Sequence, residues 1–230
     1  AETGGQNAML VDSSALVEQV VIDVLASAFD SAGQRCSALR VLCLQQEIAD
    51  RVIGMLAGAM RALVVGDPAD LATDVGPIID AAAKEALTAH LVRLEREAKR
   101  IARAPLDPAT DARGHFLAPA AFEIPSLSVL KGEVFGPVLH VLRYRAGDEE
   151  ALVDALNDTG YALTLGIHSR IDATVHRIVA RTRAGNVYVN RNVIGAVVGV
   201  QPFGGEGLSG TGPKAGGPLY VPRLTRDPGD

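Results

Sequence analysis

The sequence, 230 residues long, contains no tryptophan, and aromatic residues make up only 4% of it. Its core must therefore be built from Ala, Val, Leu and Ile rather than from large rings. There are two cysteines, Cys36 and Cys43. They are too few for a disulfide framework, and they do not form a CxxC metal or redox motif. His90, His115, His140, His168 and His176 are scattered without metal-ligand spacing, so no metal is expected. No block of Lys or Arg occurs, and the formal net charge is −5. That argues against a nucleic-acid or anionic-membrane partner. No apolar run approaches the ~20 residues that cross a bilayer. The start also lacks a secretory pattern. A reducing cytoplasm is the expected compartment. The opening stretch, AETGGQNAML, lacks an initiator Met and begins almost at once on a glycine pair. It reads as a cut through a longer protein.

What is present is the composition of a folded, soluble chain, 48% hydrophobic and 21% charged. Asp12-Ser13-Ser14 offers helix caps before an apolar-periodic run at 15–29, closed by Gly33. ALRVLCL (38–44) predicts a strand, and 47–63 predicts an amphipathic helix. A Gly/Pro/Asp-punctuated loop at 66–77 precedes a second helix over 81–100. Strands are expected at 114–124, 137–144, 162–168 and 186–190, with helices at 148–157 and 171–183 between the later ones. This alternation predicts an α/β fold: a largely parallel, mixed sheet flanked by helices, read as one domain over 1–230. Beyond Asn190 the chain turns glycine-rich and is expected to be irregular.

Several residues could carry chemistry. Cys36 lies in GQRCS, where Arg35 and nearby backbone N–H groups could favour a thiolate. It could equally be an inert buried thiol. Cys43, inside an apolar strand pattern, reads as core. Glu2, beside two glycines and two amides, could act as a general base or be a solvated charge. Glu133, in KGEVFGPVL, could accept hydrogen bonds from sugar hydroxyls or lie exposed in a loop. The stretch PFGGEGLSGTGPKAGGP (202–218) spells GxGxxG, but no strand enters it and Pro213 blocks a following helix. Its glycines could instead point backbone N–H groups into one anion-binding concavity, or form a plain surface loop.

Four stretches in order, ETGGQNA, GQRCS, EVFGPV and NRNVIGAVVGVQPFGG, resemble the aldehyde dehydrogenase superfamily. Glu2 and Cys36 are also separated by that family's usual interval. FDSAGQRCSALRVL and VVGVQPFGGEGLSGTGPKAGGP resemble its L-glutamate γ-semialdehyde (Δ1-pyrroline-5-carboxylate) dehydrogenases most. The resemblance implies NAD-dependent oxidation of L-glutamate γ-semialdehyde to L-glutamate, in proline catabolism. Cys36 would be the nucleophile and its backbone N–H an oxyanion donor. Glu2 would activate the deacylating water. The resemblance places Glu133 on the nicotinamide ribose, Phe135 beside the nicotinamide, and Gly5 where backbone approaches the NAD. Arg35, Ser37, Ser209, Gly210 and Phe203 would form the substrate end, with Ser37, Ser209 and Gly210 on its carboxylate. It also implies a missing N-terminal NAD-binding half, and a parent protein that is a homo-oligomer. Two other readings stay open: a non-catalytic fragment that binds a partner half or an amino-acid carboxylate, and a Cys36 esterase that works without NAD.

Overall fold

The structure, a computed structural model, describes residues 3–197 and 199–225. In chain order the elements are β1 (Ala8–Val11), α1 (Val17–Phe29), β2 (Val41–Gln45), α2 (Gln46–Ala62), α3 (Ala81–Glu97), β3 (Lys99–Arg103) and α4 (Pro108–Asp111). They continue with β4 (Ala120–Glu123), β5 (Val138–Tyr144), α5 (Glu149–Asn157), β6 (Tyr161–Ala162), β7 (Thr164–His168), α6 (Asp172–Arg181), β8 (Asn186–Val189), β9 (Glu206–Gly207) and α7 (Tyr220–Leu224). Seven strands form one sheet in the order β3-β4-β5-β2-β1-β7-β8. Every pairing in it is parallel except β3 with β4. A two-stranded ribbon, β6 with β9, stands beside it.

The mixed, mostly parallel sheet agrees with the alternation of strand and helix patterns. The strand expected at 114–124 is confined to Ala120–Glu123, that at 162–168 is split into β6 and β7, and β9 forms in the stretch expected to be irregular. β1 and β3 depart furthest. β1 is a four-residue apolar run, AMLV, buried at every position. A strand covered on both faces shows no alternation to betray it. It is nevertheless central, paired with β2 on one side and β7 on the other. β3, KRIAR, overlaps the helix expected at 81–100 by Lys99 and Arg100, which suit helices, and its remaining residues show no strand pattern. The helix instead stops at Glu97, and β3 becomes an edge strand whose exposed Lys99, Arg100 and Arg103 discourage further pairing. The helix caps read at 12–14 also move. Asp12 Oδ1 accepts from Ser14 N at 2.8 Å, a local turn, while Oδ2 accepts from Ser169 Oγ at 2.5 Å. α1 itself begins only at Val17 and carries no side-chain cap.

The core follows from the scarcity of aromatics. Met9, Leu10, Leu42, Leu44, Leu139 and Val141 fill the sheet, and Phe29 and Phe122 are the fully buried rings. Cys43 sits in β2 with no exposure, and burial pushes its thiol up to about 12. It is an inert core residue. Among the described residues no helix is long and apolar enough to cross a membrane.

Candidate active site

In a parallel ladder all strand starts lie on one edge. That edge gathers the quoted motifs. Asn7 immediately precedes β1, Cys36 to Arg40 lead into β2, Glu133 to Pro137 lead into β5, and Gly185 leads into β8. Open α/β sheets ordinarily bind ligands at the carboxyl ends of their strands. Here the candidate residues collect at the amino ends.

The segment Thr3–Asn7 is the seam that joins them. At one end Thr3 N donates to Ser209 O at 3.1 Å and Thr3 Oγ1 to Leu208 O at 2.5 Å. In the middle, Gly4 lies against the Glu133 carboxylate: a Cβ added at Gly4 would fall 1.5 Å from Glu133 Oε2. At the other end, Asn7 Nδ2 donates to Cys36 O at 2.7 Å and Ala38 O at 2.9 Å, while its Oδ1 accepts from Thr164 N at 3.1 Å. One buried amide therefore ties the cysteine loop to β1 and β7. Gly4→Ala is expected to eject the Glu133 carboxylate and cost about 1–3 kcal/mol. Urea unfolding reads this, and an unchanged midpoint would show that the seam yields without loss.

The cysteine loop is held from three further directions. Ser31, Ala32 and Gly33 form a left-handed turn, with φ of 56°, 54° and 65°. Such a run is costly outside glycine and persists where the surroundings impose it. Gly33 alone must be glycine for space as well, since a Cβ would meet Gly136 O at 2.3 Å. Gln34 pins the loop to the 77–79 segment, accepting from Ile79 N at 2.9 Å and donating to Pro77 O at 3.1 Å. Arg40 does the rest. Its guanidinium has no exposure, and Nη1 donates to Gly33 O at 2.6 Å and Gly136 O at 3.3 Å. Nη2 donates to Arg35 O at 3.0 Å and to Glu133 Oε1 at 3.1 Å. The Phe135 ring lies 5.1 Å from Cζ. Burial lowers the Arg40 pKa, and the Glu133 carboxylate works against that.

Sequence reading missed Arg40 and the anchoring role of Asn7. A lone cation inside an apolar run, as in ALRVLCL, was the available signal: a buried Arg demands partners.

The other sequence-predicted residues fall as follows. Cys36 is half-buried, Ser37 is buried, and Arg35 is exposed with Nε on Ser31 Oγ. Phe135 is 45% exposed. Glu133, Val134 and Phe135 line one wall of a cleft of about 630 Å³, with Leu87, His90 and Arg93 of α3 opposite. Gly5 is buried and backs onto Asn7: a Cβ there would meet Asn7 Oδ1 at 2.3 Å. Gly4, not Gly5, is the glycine that faces Glu133. Glu2 lies outside the described residues. Ser209 is fully buried, its hydroxyl accepting from Ala162 N at 3.0 Å, and Gly210 is buried beside it. Phe203 is partly buried.

In the glycine-rich loop several N–H groups bond inside the protein: Phe203 to Ala215 O, Gly204 to Asn186 Oδ1, Leu208 to Gly160 O, Ser209 to Glu206 O and Gly210 to Gly207 O. Those groups are not open to an anion, and glycine there also serves close backbone contact. A Cβ at Gly205 would lie 2.4 Å from Ala162 O. Among the described residues no group of three or more His, Cys, Asp or Glu could hold a metal ion.

A half-buried thiol, a carboxylate at the mouth of a cleft and a glycine-rich loop thus meet along the segment Thr3–Asn7. The aldehyde dehydrogenase family model matches residues 1–226, and the chain belongs to that family. It is 59% identical over 228 residues to the bifunctional protein PutA of Klebsiella aerogenes, covering 97% of this chain and 17% of that protein. It is 35% identical to the 1-pyrroline-5-carboxylate dehydrogenase of Geobacillus sp. (strain WCH70), covering 96% of this chain and 42% of that one. A crystal structure of bifunctional proline utilization A (PutA) superposes with a TM-score of 0.93 at 57% identity, covering 97% of this chain and 22% of that chain. The chain thus spans under half the length of each of these relatives.

Proposed function

We propose that this chain supplies the nucleophile and the substrate end of an NAD-dependent L-glutamate γ-semialdehyde dehydrogenase acting in proline catabolism. The observation that carries the reading is the seam Thr3–Asn7, which draws Cys36, Glu133 and the Ser209 loop together. Its likeness to PutA and 1-pyrroline-5-carboxylate dehydrogenase supplies the substrate class.

The Cys36 thiolate attacks the aldehyde carbon, and the resulting oxyanion takes a hydrogen bond from the Cys36 N–H. Loss of hydride from that carbon leaves a thioester on Cys36. Glu2 then takes a proton from water, which attacks the thioester and releases glutamate and the thiol. NAD, when bound, would supply the hydride acceptor. The residues present fit it: Glu133 offers a carboxylate to ribose hydroxyls at the cleft mouth, and the exposed Phe135 offers a ring face beside it. Ser37, Gly210, Arg35 and Phe203 complete the substrate end, with Ser209 fixing the loop through Ala162.

In a preparation supplied with the NAD-binding half that this reading requires, Cys36→Ala is expected to abolish NADH formation from L-glutamate γ-semialdehyde. The expected fall is at least about 10⁴-fold, as for loss of a covalent nucleophile. Turnover retained within tenfold of the parent would falsify the assignment.

A further inference from the structure

We propose that Arg40 is a positioning residue for the nucleophile loop whose charge also supports the Cys36 thiolate, with Glu133 as the counter-ion that attenuates it. The inference rests on Cys36 being the nucleophile and goes beyond it, because the chemistry above gives Arg40 no role. The geometry is specific. The guanidinium donates to the carbonyls of Gly33 and Arg35, which flank the loop just before Cys36. It donates to Gly136 and Glu133 on the other loop. A planar fork can serve these four acceptors on two backbone segments, whereas a lysine ammonium has only three donors.

The electrostatics run through the same group. Arg40 Nη2 sits 3.0 Å from the carbonyl of the residue before Cys36, so the guanidinium charge lies beside the loop that carries the thiol and favours its thiolate. Glu133 competes for the same cation, its Oε1 at 3.1 Å from Nη2. Anything that draws the carboxylate towards the cleft, ribose hydroxyls included, leaves more of the guanidinium's field to Cys36. Occupation of the cleft is thereby coupled to readiness of the thiol. Among the described residues, Lys131, His90 and Arg93 line the cleft with Glu133, and burial holds His90 neutral. Arg35 is exposed and tethered to Ser31, and burial raises the Asp30 pKa, with Arg35 opposing and Asp74 adding to the rise. His140, bonded to the Arg40 carbonyl, is held neutral by burial.

The test needs neither cofactor nor substrate, so it stands apart from the dehydrogenase assignment. The rate of iodoacetamide labelling at Cys36 is measured against pH for the chain itself, for Glu133→Gln, and for the double variant Arg40→Met/Glu133→Gln. Glu133→Gln is expected to lower the apparent Cys36 pKa by about one unit and to speed labelling at pH 7 roughly three- to tenfold. Removing Arg40 as well is expected to return the profile to the parent's or above it. The double variant removes both members of a buried pair, which is better tolerated than removing one. An unchanged or raised pKa in Glu133→Gln overturns the proposal, even if the double variant fails to fold. A double variant as reactive as Glu133→Gln also overturns it, because the effect would then belong to the carboxylate alone.

Discussion

Arg40→Met is expected to destabilise the chain by about 3–5 kcal/mol, the usual cost of removing one partner from a buried ion pair. The guanidinium has no solvent exposure, and it is the donor for Gly33 O, Arg35 O and Gly136 O as well as Glu133. Methionine fills similar volume and satisfies none of these acceptors. Each buried acceptor left unpaired costs about 1–3 kcal/mol, though the costs overlap because both loops can relax together. Urea unfolding of the parent, Arg40→Met and Arg40→Met/Glu133→Gln separates the contributions. The double variant should recover part of the loss, since no carboxylate is left stranded. A single-variant cost below about 1 kcal/mol would mean that water reaches the carbonyls and that the guanidinium is replaceable.

This result bears on how the site is encoded. The strand–helix alternation after residue 137 was legible because each element is long enough to show its own period. β1 was not, because four apolar residues buried on both faces carry no pattern and its role depends on β2 and β7 closing around it. β3 was not, because local helix preference in EREAKR points the wrong way and pairing with β4 decides the matter. Cys36 and Glu133 were legible as motif members, and the structure brings their loops together through groups to which the motifs gave no role. Asn7 looked like one more polar residue in ETGGQNA. Arg40 looked like an ordinary residue entering a strand. Their importance lies in which carbonyls they reach, and that depends on the parallel sheet aligning the starts of β1, β2 and β5 on one edge. Ser209 shows the opposite case: a residue marked for substrate is in this structure tied to the backbone of β6.

Acid should unfasten the same region, through two histidines that no motif singled out. His140 in β5 bonds the Arg40 carbonyl through both its backbone N, at 3.0 Å, and Nδ1, at 2.9 Å. Its Nε2 lies 3.0 Å from His90 Nε2 of α3, and His90 Nδ1 lies 3.2 Å from Arg93 Nη2. Only one neutral arrangement satisfies every member. Arg93 donates to His90, His90 to His140, and His140 to the Arg40 carbonyl. Protonating His90 would set an N–H against the Arg93 cation, and protonating His140 would set one against His90. Burial, chiefly, pushes the His140 ring down to about 3 and the His90 ring to about 4. Arg93 lowers His90 further, and Glu97 opposes it. Both folded values lie below the unfolded value of about 6.5, so the unfolded chain binds more protons between them. Stability is therefore full above pH 6.5 and falls as pH drops towards 3. For His140 alone the loss by pH 4 is about 3 kcal/mol, at roughly 1.4 kcal/mol per pH unit. Surface carboxylates titrate in the same range, so the informative quantity is the difference from His140→Gln, which keeps a donor for the Arg40 carbonyl and cannot ionise. Urea midpoints at pH 7, 5 and 4 should fall more steeply in the parent than in that variant. Parallel slopes would show that the pair already takes up protons in the folded chain. The chain from Arg93 to the Arg40 carbonyl would then be open to water, and α3 would have to be held over the Glu133 loop without it, by contacts such as Leu87 against Gly136 and Arg93 Nη1 on Val129 O.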